Sequence, residues 1–349
     1  MKITTSPWGM DSQGQSVSRF ETTSPSGIAA VWTDWGASLI SLKVPSKNHG
    51  IQEVFLTFDT LDQLVRRGRF FGAVVGRWAN RIALGKFTLN GIPHQLTINN
   101  APHHLHGGRS SFCQRLWRAE PFEKSDRAGV IFRLRDPAGS EGYPGNLDVE
   151  AEYWLTDTGE LGWELRATGD ELTIVNLVNH AYWNLAGPAS ESVLEHKVTM
   201  ESRFYYPGDE TNLPKQTLEL VSGTPFDFRS PKTLGRDFFA TGNGYDHCYI
   251  LEAPPGDDLI KAATLEDPST GRKMEVFTTS PCVQLYTGNF LGGDEGAGGR
   301  RHVKYSGVCL ETQLVPDAPN RLNLPPGHPS PLLRPGQLWR YRTIHRFTW

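Results

Sequence analysis

Two ionisable residues lie in or next to runs that the sequence predicts as buried strands, and each could serve in catalysis. Glu311 lies in the strand-like run of residues 307–313, and His180 follows the apolar run of residues 172–178. Burial would shift the pKa of the Glu311 carboxyl group, and the His180 imidazole, which titrates near neutrality, could act as a general acid or base. Two structural interpretations stay open at this point: a salt-bridged carboxylate at a sheet edge, and a buried imidazole bonded to the backbone.

A second group of polar residues could bind hydroxyl groups. Asn80 lies between Arg77 and Arg81, and a guanidinium beside an amide can form paired hydrogen bonds to vicinal hydroxyls or to a carboxylate. Arg81 could instead pair with a structural acid. Asp246 could accept hydrogen bonds from two hydroxyls, or it could cap a turn.

Three histidines beside the glycines at 107–108 raise the question of a metal site. His103, His104 and His106 include a His-x-His spacing, which occurs among metal ligands in β-barrel proteins. No second ligand set at a diagnostic spacing accompanies them. The same residues therefore also fit one functional histidine with loop residues on either side.

The elements that must position these residues have the pattern of β-strands. The 36 glycines and 24 prolines are spread along the chain and leave little room for long helices. Apolar and polar residues alternate at 130–135 and at 147–153, and a turn at 156–159 predicts a hairpin with residues 161–166. Residues 172–178 are apolar on both parities, which predicts a strand that is covered on both faces.

One short helix interrupts this pattern. Asp59 or Thr60 can cap it, and the basic residues before Gly68 suit its last turn. No internal repeat or linker divides the chain. We therefore expect a single all-β domain over residues 1–349, built as a large antiparallel β-sandwich with few short helices.

The composition argues against several classes of function. The 35 Lys and Arg residues against 38 Asp and Glu residues give a net charge of −3, which disfavours binding to nucleic acid or to an anionic membrane. No apolar stretch approaches the roughly 20 residues of a membrane helix. The N-terminus also lacks the apolar segment of a secretory signal, so we expect a cytoplasmic protein.

Cysteine usage and the missing enzyme motifs narrow the choice further. The four cysteines form no C-x-x-C pair, which disfavours a disulfide framework or a thiolate zinc site. The sequence contains no phosphate-binding glycine loop before a helix, no G-x-S-x-G and no H-E-x-x-H. These absences lower the odds of a nucleotide enzyme, a serine hydrolase of that fold and a zinc protease.

Six motifs, in the same order along the chain, identify a family resemblance. They are GRWANRI (76–82), LHGG (105–108), NHAYWNL (179–185), GYDH (244–247), YTGN (286–289) and CLETQ (309–313). With these motifs the chain resembles the aldose 1-epimerases, also called galactose mutarotases, from about residue 25 to the C-terminus. Each motif alone is modest evidence, but six in the same order are specific.

The resemblance implies a fold, a reaction and a set of site residues. It implies the family's supersandwich and the interconversion of the α and β anomers of a free aldose such as glucose or galactose, without cofactor or metal. Glu311 is then the base that takes the proton of the anomeric hydroxyl, and His180 is the acid that protonates the ring oxygen. The substrate-binding positions that the resemblance implies are Asn80, Arg81, His106, Tyr182, Asp246 and Gln284. The only partner expected is a monosaccharide substrate, and the protein is expected to be a monomer or a homodimer.

Some positions depart from the common family pattern. Ala181, Trp183 and the segments 111–115 and 314–317 differ from the residues usual there. These changes leave the acid and the base in place, and they leave the preferred sugar open.

Three rival functions are weighed against this one. An epimerase acting on hexose 6-phosphates would use arginines from residues 66–81 to bind phosphate. A non-catalytic carbohydrate-binding sandwich would need no pair such as Glu311 and His180. A metal-dependent β-barrel enzyme would use His104 and His106. Ten tryptophans, among them Trp78, Trp163 and Trp183, fit sugar stacking, although core packing is expected for most of them.

Overall fold

The computed structural model of the protein describes residues 1–68, 70–252 and 257–349. Strands dominate these residues, and the ladders of the three largest sheets are antiparallel. The predicted all-β sandwich with few short helices is therefore confirmed. Within the described residues, no helix has the length and apolar character needed to cross a membrane.

The strands are numbered along the chain. The first are β1 Ile3–Met10, β2 Ser16–Thr23, β3 Ala29–Thr33, β4 Ser38–Val44, β5 Gln52–Glu53, β6 Val74–Val75, β7 Arg81–Ile82, β8 Lys86–Leu89, β9 Ile92–Gln95 and β10 His104–Leu105. The next are β11 Arg118–Glu123, β12 Arg127–Asp136, β13 Leu147–Thr156, β14 Glu160–Gly169, β15 Thr173–Ile174, β16 Val178–Asn179, β17 Lys197–Met200, β18 Phe204–Tyr206, β19 Glu219–Leu220 and β20 Lys232–Thr233. The last are β21 Asp246–Ile250, β22 Ile260–Glu266, β23 Lys273–Thr278, β24 Cys282–Tyr286, β25 Asp294–Glu295, β26 Arg301–His302, β27 Cys309–Gln313, β28 Leu332–Leu333 and β29 Trp339–Thr348.

Helical structure is limited to short pieces. The α-helix found in the described residues is α1, Leu61–Arg67. Thr60 caps it with a capping box, in which the Thr60 hydroxyl accepts from the Gln63 N–H and the Gln63 side chain accepts from the Thr60 N–H. The predicted start and the end at Gly68 are confirmed. Single 3-10 turns occur at Ala83–Gly85, Phe112–Gln114, Ser140–Gly142, Phe238–Thr241, Ala297–Gly299 and Ala318–Asn320.

Three sheets build the sandwich. The N-terminal sheet has the order β1-β2-β3-β4-β5, and a nine-stranded sheet has the order β11-β12-β13-β14-β29-β23-β22-β17-β20. A third sheet, β19-β18-β21-β24-β27, carries strands from the second half of the chain. One buried apolar cluster contains side chains from all three sheets, such as Trp32, Tyr153, Leu285 and Leu310. Because this core is shared, the third sheet is held rigidly against the other two.

The hairpin prediction is confirmed, but one predicted strand is wrong. β13 pairs with β14 as predicted from the alternation. The apolar run 172–178 forms two short strands, β15 and β16, instead of one. Between them Asn176 leaves the ladder pattern, because its side chain donates to the Ala79 carbonyl and accepts from the Leu314 N–H. A buried amide that bonds to two other segments redirects the backbone in a way that periodicity does not reveal.

Arg77 is structural. Its side chain is fully buried and donates to the Asp136 carboxylate at 2.6 and 3.0 Å and to the carbonyl oxygens of Pro144 and Gly145. Arg115 contacts the other Asp136 oxygen at 2.6 Å. The interpretation of Arg77 as a hydroxyl-binding residue is therefore wrong. Its ion pair with Asp136, the last residue of β12, connects the segment before β7 to the nine-stranded sheet.

We predict that Asp136→Asn destabilises the protein by about 3 kcal/mol, because removing one partner of a buried ion pair leaves a buried charge uncompensated. The matched control is Asp148→Asn, which removes an exposed ion pair with Arg135 and should change stability by less than about 1 kcal/mol. Urea denaturation followed by tryptophan fluorescence compares the two midpoints. Equal shifts for both variants would contradict this role of Arg77.

Candidate active site

A cleft of about 610 Å³ collects most of the residues predicted to act on a substrate. Its floor consists of buried polar and aromatic side chains, namely Asn80, Arg81, His106, His180, Tyr182, Tyr286 and Glu311. Its mouth consists of exposed or half-exposed residues, most of them from loops, among them Arg67 at the end of α1, Asn100, Glu210, Asn212, Phe290 and Asp294 at the start of β25. Clefts of this size and lining are typical of small-molecule sites.

The two predicted proton-transfer residues meet in this floor. Glu311 is the central residue of β27, whose five residues are all buried, and it lies opposite Gln284 of β24. His180 follows β16, and its Nε2 lies 3.6 Å from Glu311 Oε1. The second carboxylate oxygen, Glu311 Oε2, has no hydrogen-bond partner among the described residues. The pair is therefore close enough to act on one small molecule.

Two aromatic rings and one thiol contact the His180 ring. Phe70 and Tyr182 stack on it with centroid distances of 5.8 and 4.9 Å and interplanar angles of 20° and 25°. Cys309 Sγ lies 3.7 Å from Nδ1. The His180 backbone N–H and C=O bond to Ala73 and Gly72, which positions the residue after β16 ends.

Arg81 and His106 are positioned by one short ladder. β7 pairs with β10 so that Arg81 lies opposite Leu105, and Asn80 and His106 flank the ladder. Both flanking residues have left-handed backbones, with φ values of 63° and 51°. The His106 N–H donates to the Asn80 carbonyl, and the Asn80 N–H donates to His106 Nδ1, each at 3.1 Å. Since Nδ1 accepts, the proton of a neutral His106 lies on Nε2, which makes that nitrogen a donor.

Asp246 lies at the junction of three polar side chains. It begins β21, and its Oδ2 lies 3.7 Å from Arg81 Nη1. Gln284 Nε2 donates to its Oδ1 at 2.7 Å, and Gln313 Nε2 lies 3.4 Å from Gln284 Oε1. Gln284 is buried under this network and is absent from the cleft lining. In this structure Gln284 orients Asp246, in contrast to the direct substrate contact that the sequence predicts.

Burial moves the two central pKa values in opposite directions. Desolvation lowers the pKa of His180 to about 4. Desolvation raises the pKa of Glu311 well above its usual value; the Asp246 charge adds to this rise and the Arg81 guanidinium opposes it. The expectation of an imidazole that titrates near neutrality is therefore wrong for the free protein. Because water is excluded from both groups, each is driven toward its neutral form.

Sequence reasoning missed several residues of the site. Phe70, Phe71, Tyr286 and Phe290 supply aromatic walls, and Cys309 supplies the thiol at the His180 edge. Cys309 shares a strand face with Glu311, so alternation alone could have indicated it. Phe70 and Phe71 follow α1 in a turn, for which no periodicity exists. The tryptophans considered for sugar stacking, Trp78, Trp163 and Trp183, are buried in the core instead.

The positions that depart from the family pattern lie outside the cleft lining. Ala181 and Trp183 are buried, and the Trp183 ring packs against Phe55 at 5.7 Å. Residues 111–115 include the 3-10 turn Phe112–Gln114. Asp317, in the segment 314–317, accepts from the Ala83 N–H. Their differences therefore change the packing behind the site.

The histidines considered as metal ligands are engaged elsewhere. His104 Nδ1 bonds to the Thr97 carbonyl and Nε2 to the Tyr143 hydroxyl, each at 2.7 Å. His103 Nδ1 accepts from the Leu84 N–H, and its Nε2 lies 2.7 Å from Thr211 Oγ1. A metal site built on His104 and His106 is therefore wrong.

One other group in the described residues has donor atoms within 4.8 Å of one another: His180, Cys309 and Glu311. Glu311 Oε1 lies 3.6 Å from Nε2 and Cys309 Sγ lies 3.7 Å from Nδ1, so the two partners contact different ring nitrogens. The sulfur and a carboxylate oxygen are themselves within 4.8 Å of each other. A metal ion would need donors that converge on one point next to a single nitrogen.

The chain matches known proteins over nearly its whole length. A model of the aldose 1-epimerase family matches residues 18–346. Galactose mutarotase from Bos taurus is 42% identical over 318 residues, which cover 90% of this chain and 89% of that protein. Aldose 1-epimerase from Escherichia coli K12 is 36% identical over 326 residues, which cover 92% of each.

Solved structures agree with these sequence matches. A galactose 1-epimerase from Lactobacillus acidophilus NCFM has a TM-score of 0.85 at 28% identity, covering 99% of this chain and 98% of that one. An aldose epimerase homologue from C. elegans has a TM-score of 0.84 at 30% identity, covering 94% and 98%. Since the family model spans residues 18–346 and relatives above 30% identity cover nine-tenths of the chain, this protein belongs to the aldose 1-epimerase family.

Proposed function

We propose that this protein interconverts the α and β anomers of a free aldose, with Glu311 as the base and His180 as the acid. The observation that carries the assignment of these two residues is their 3.6 Å approach in the floor of the cleft. Ring opening of a hemiacetal moves one proton off O1 and one onto O5. A base that accepts the O1 proton and an acid that donates a proton to O5 perform this transfer without releasing charge to solvent, provided that both face the same sugar.

The reaction balances over the pair. Carboxylate Glu311 takes the O1 proton while imidazolium His180 gives its Nε2 proton to O5, and the C1–O5 bond breaks. The products are an open-chain aldehyde, a carboxylic acid and a neutral imidazole. After rotation about C1–C2, O5 attacks the other face of C1, its proton returns to His180, and Glu311 returns its proton to O1. The protein ends in its starting protonation state.

Burial favours the opening half of this cycle. The charged pair is the less stable form in a dry site, and ring opening converts it into the neutral pair that desolvation prefers. The Arg81 guanidinium lowers the pKa of Glu311 and so reduces the free energy needed to ionise this carboxyl group. Binding of sugar hydroxyls to the second carboxylate oxygen would support that form further.

The remaining polar groups suit a sugar substrate. Arg81 and His106 Nε2 are donors that can stabilise oxygens gaining negative character, and Asn80 lies between them. Asp246 can accept from ring hydroxyls, while Gln284 holds its other oxygen. Tyr182 and Tyr286 also line the cleft and supply aromatic surface against which a sugar ring can pack. This chemistry needs neither metal nor cofactor.

A sugar phosphate is the less suited substrate. Among the arginines considered for phosphate, Arg66 pairs with Asp62 and Arg77 is buried against Asp136. Arg67 and Arg81 line the cleft, and Arg81 already faces Asp246. Arg69 lies outside the described residues. A cytoplasmic location and a monomeric or homodimeric state stay predictions from the sequence.

Polarimetry on freshly dissolved α-D-galactose and α-D-glucose tests the proposal directly. We expect the protein to accelerate the change in optical rotation of at least one sugar over the buffer rate, with saturation. Glucose 6-phosphate is the comparison substrate. Saturation by the phosphate alone would overturn the free-sugar assignment, and no acceleration of any of the three would overturn the reaction.

We predict that Glu311→Gln and His180→Asn each lower kcat by roughly 10²–10⁴-fold, because each removes a positioned proton-transfer group. The double variant should be little worse than either single one, since the two groups act as a unit. Glu171→Gln and His49→Asn, at exposed positions, are the matched controls and should keep the wild-type rate. Multiplicative losses in the double variant would argue against one shared proton pathway.

The pH dependence follows from the two pKa shifts. Because the pKa of His180 is lowered, the pair holds one proton above about pH 4 and gains a second below it, which removes the base. We therefore expect kcat/KM to fall on acidification with a midpoint near pH 4, and to stay level from there up to the raised pKa of Glu311. Initial rates corrected for the buffer reaction measure this profile. An acid limb centred near pH 6.5 would contradict the dry environment assigned to His180.

A further inference from the structure

Cys309 is a buried group that the proposed reaction does not use. It is the first residue of β27, lies on the same strand face as Glu311, and is fully excluded from solvent. Residues two apart on a strand point to the same face, and here the Cys309 sulfur and a Glu311 carboxylate oxygen lie within 4.8 Å of each other beside one imidazole. Glu311 meets His180 at Nε2 and Cys309 meets it at Nδ1, with separations of 3.6 and 3.7 Å.

The thiol is uncharged in this position. Burial raises the pKa of Cys309 well above its usual range, and the nearby Glu311 and Asp246 charges add to the rise. The other ionisable groups facing the ring are Tyr182, Tyr286 and His106. Burial also raises the pKa of each tyrosine, so both phenols stay neutral. Among the described residues, Glu311 is therefore the carboxylate that approaches the His180 ring, at 3.6 Å from Nε2.

We propose that Cys309 is a positioning residue for His180, whose neutral thiol holds Nδ1 and aims Nε2 at Glu311 and the sugar without supplying a charge that would stabilise the imidazolium. This inference rests on the proposed function for its kinetic consequence. The contact itself does not depend on it.

The choice of a thiol has a chemical consequence. A carboxylate at Nδ1 fixes an imidazole equally well, but it stabilises the imidazolium and raises the basicity of the ring. The acid in this reaction must give its proton to O5, so a stabilised imidazolium would be a poorer donor. A weak, uncharged partner orients the ring and leaves His180 acidic.

The first experiment compares Cys309→Asp with Cys309→Asn, which have the same shape and differ in charge. An NMR titration of His180 follows the imidazole directly. We expect the Asp variant to raise the titration midpoint by roughly one to three pH units, and the Asn variant to leave it close to that of the wild type. We expect kcat of the Asp variant to fall about tenfold below that of the Asn variant. The same midpoint in both variants would overturn the proposal.

A second pair of variants, Cys309→Ala and Cys309→Ser, tests the role of Cys309 if Asp or Asn at this position prevents folding. Cys309→Ala removes the partner of Nδ1 and should lower kcat about tenfold with KM little changed, whereas Cys309→Ser restores a neutral partner and should recover most of the rate. Cys113→Ser, at another buried cysteine, is the control for the loss of a thiol. An Ala variant with wild-type kcat, or a Ser variant as slow as Ala, would overturn the proposal.

The two failures can be told apart. If the wild-type protein interconverts no anomers, the proposed function fails, and the NMR titration still tests the contact. If the wild type is active and the titration midpoint is insensitive to charge at residue 309, the proposed function stands and the role of Cys309 fails.

Discussion

The Glu311 carboxyl group and the His180 imidazole lie side by side where water is largely excluded. This shared burial is the constraint on which the arrangement of the other polar residues in the site depends. Two charges in such a place cost several kcal/mol unless partners compensate them. Arg81 supplies part of that compensation and Asp246 reduces it, so the Glu311–His180 pair favours its neutral form. A reaction that takes one proton from the substrate and returns another proceeds from the charged form of the pair to the neutral form as the sugar ring opens.

The fold creates this environment by bringing distant segments together. β24 and β27 present Gln284 and Glu311 from the C-terminal third, while the ladder of β7 and β10 presents Arg81 from the N-terminal third. His180 enters between them after β16. Because β24, β27, β7 and β16 each place apolar side chains in a buried cluster, the relative positions of the polar groups are set by apolar packing. Rigid strands are precise supports for a site whose chemistry depends on distances of 3–4 Å.

Features that depend on neighbouring residues could be predicted from the sequence, whereas features that depend on contacts between distant segments could not. Alternation correctly placed Glu311 in a strand and left its burial open, and capping rules correctly bounded α1. The family motifs indicated seven residues that line the cleft, but Gln284 proved to lie behind it. The break in the run 172–178 and the lowered pKa of His180 were out of reach, because both arise from groups more than a hundred residues away or from the loss of water.

The aromatic rings that stack on His180 have a consequence for its motion. Phe70 and Tyr182 lie nearly parallel to the imidazole, so a half-turn about the Cβ–Cγ bond would push the ring edge against these neighbours. Stacking therefore opposes the exchange of the two nitrogens. The packing favours the rotamer in which Nε2 faces the carboxylate and Nδ1 faces the thiol.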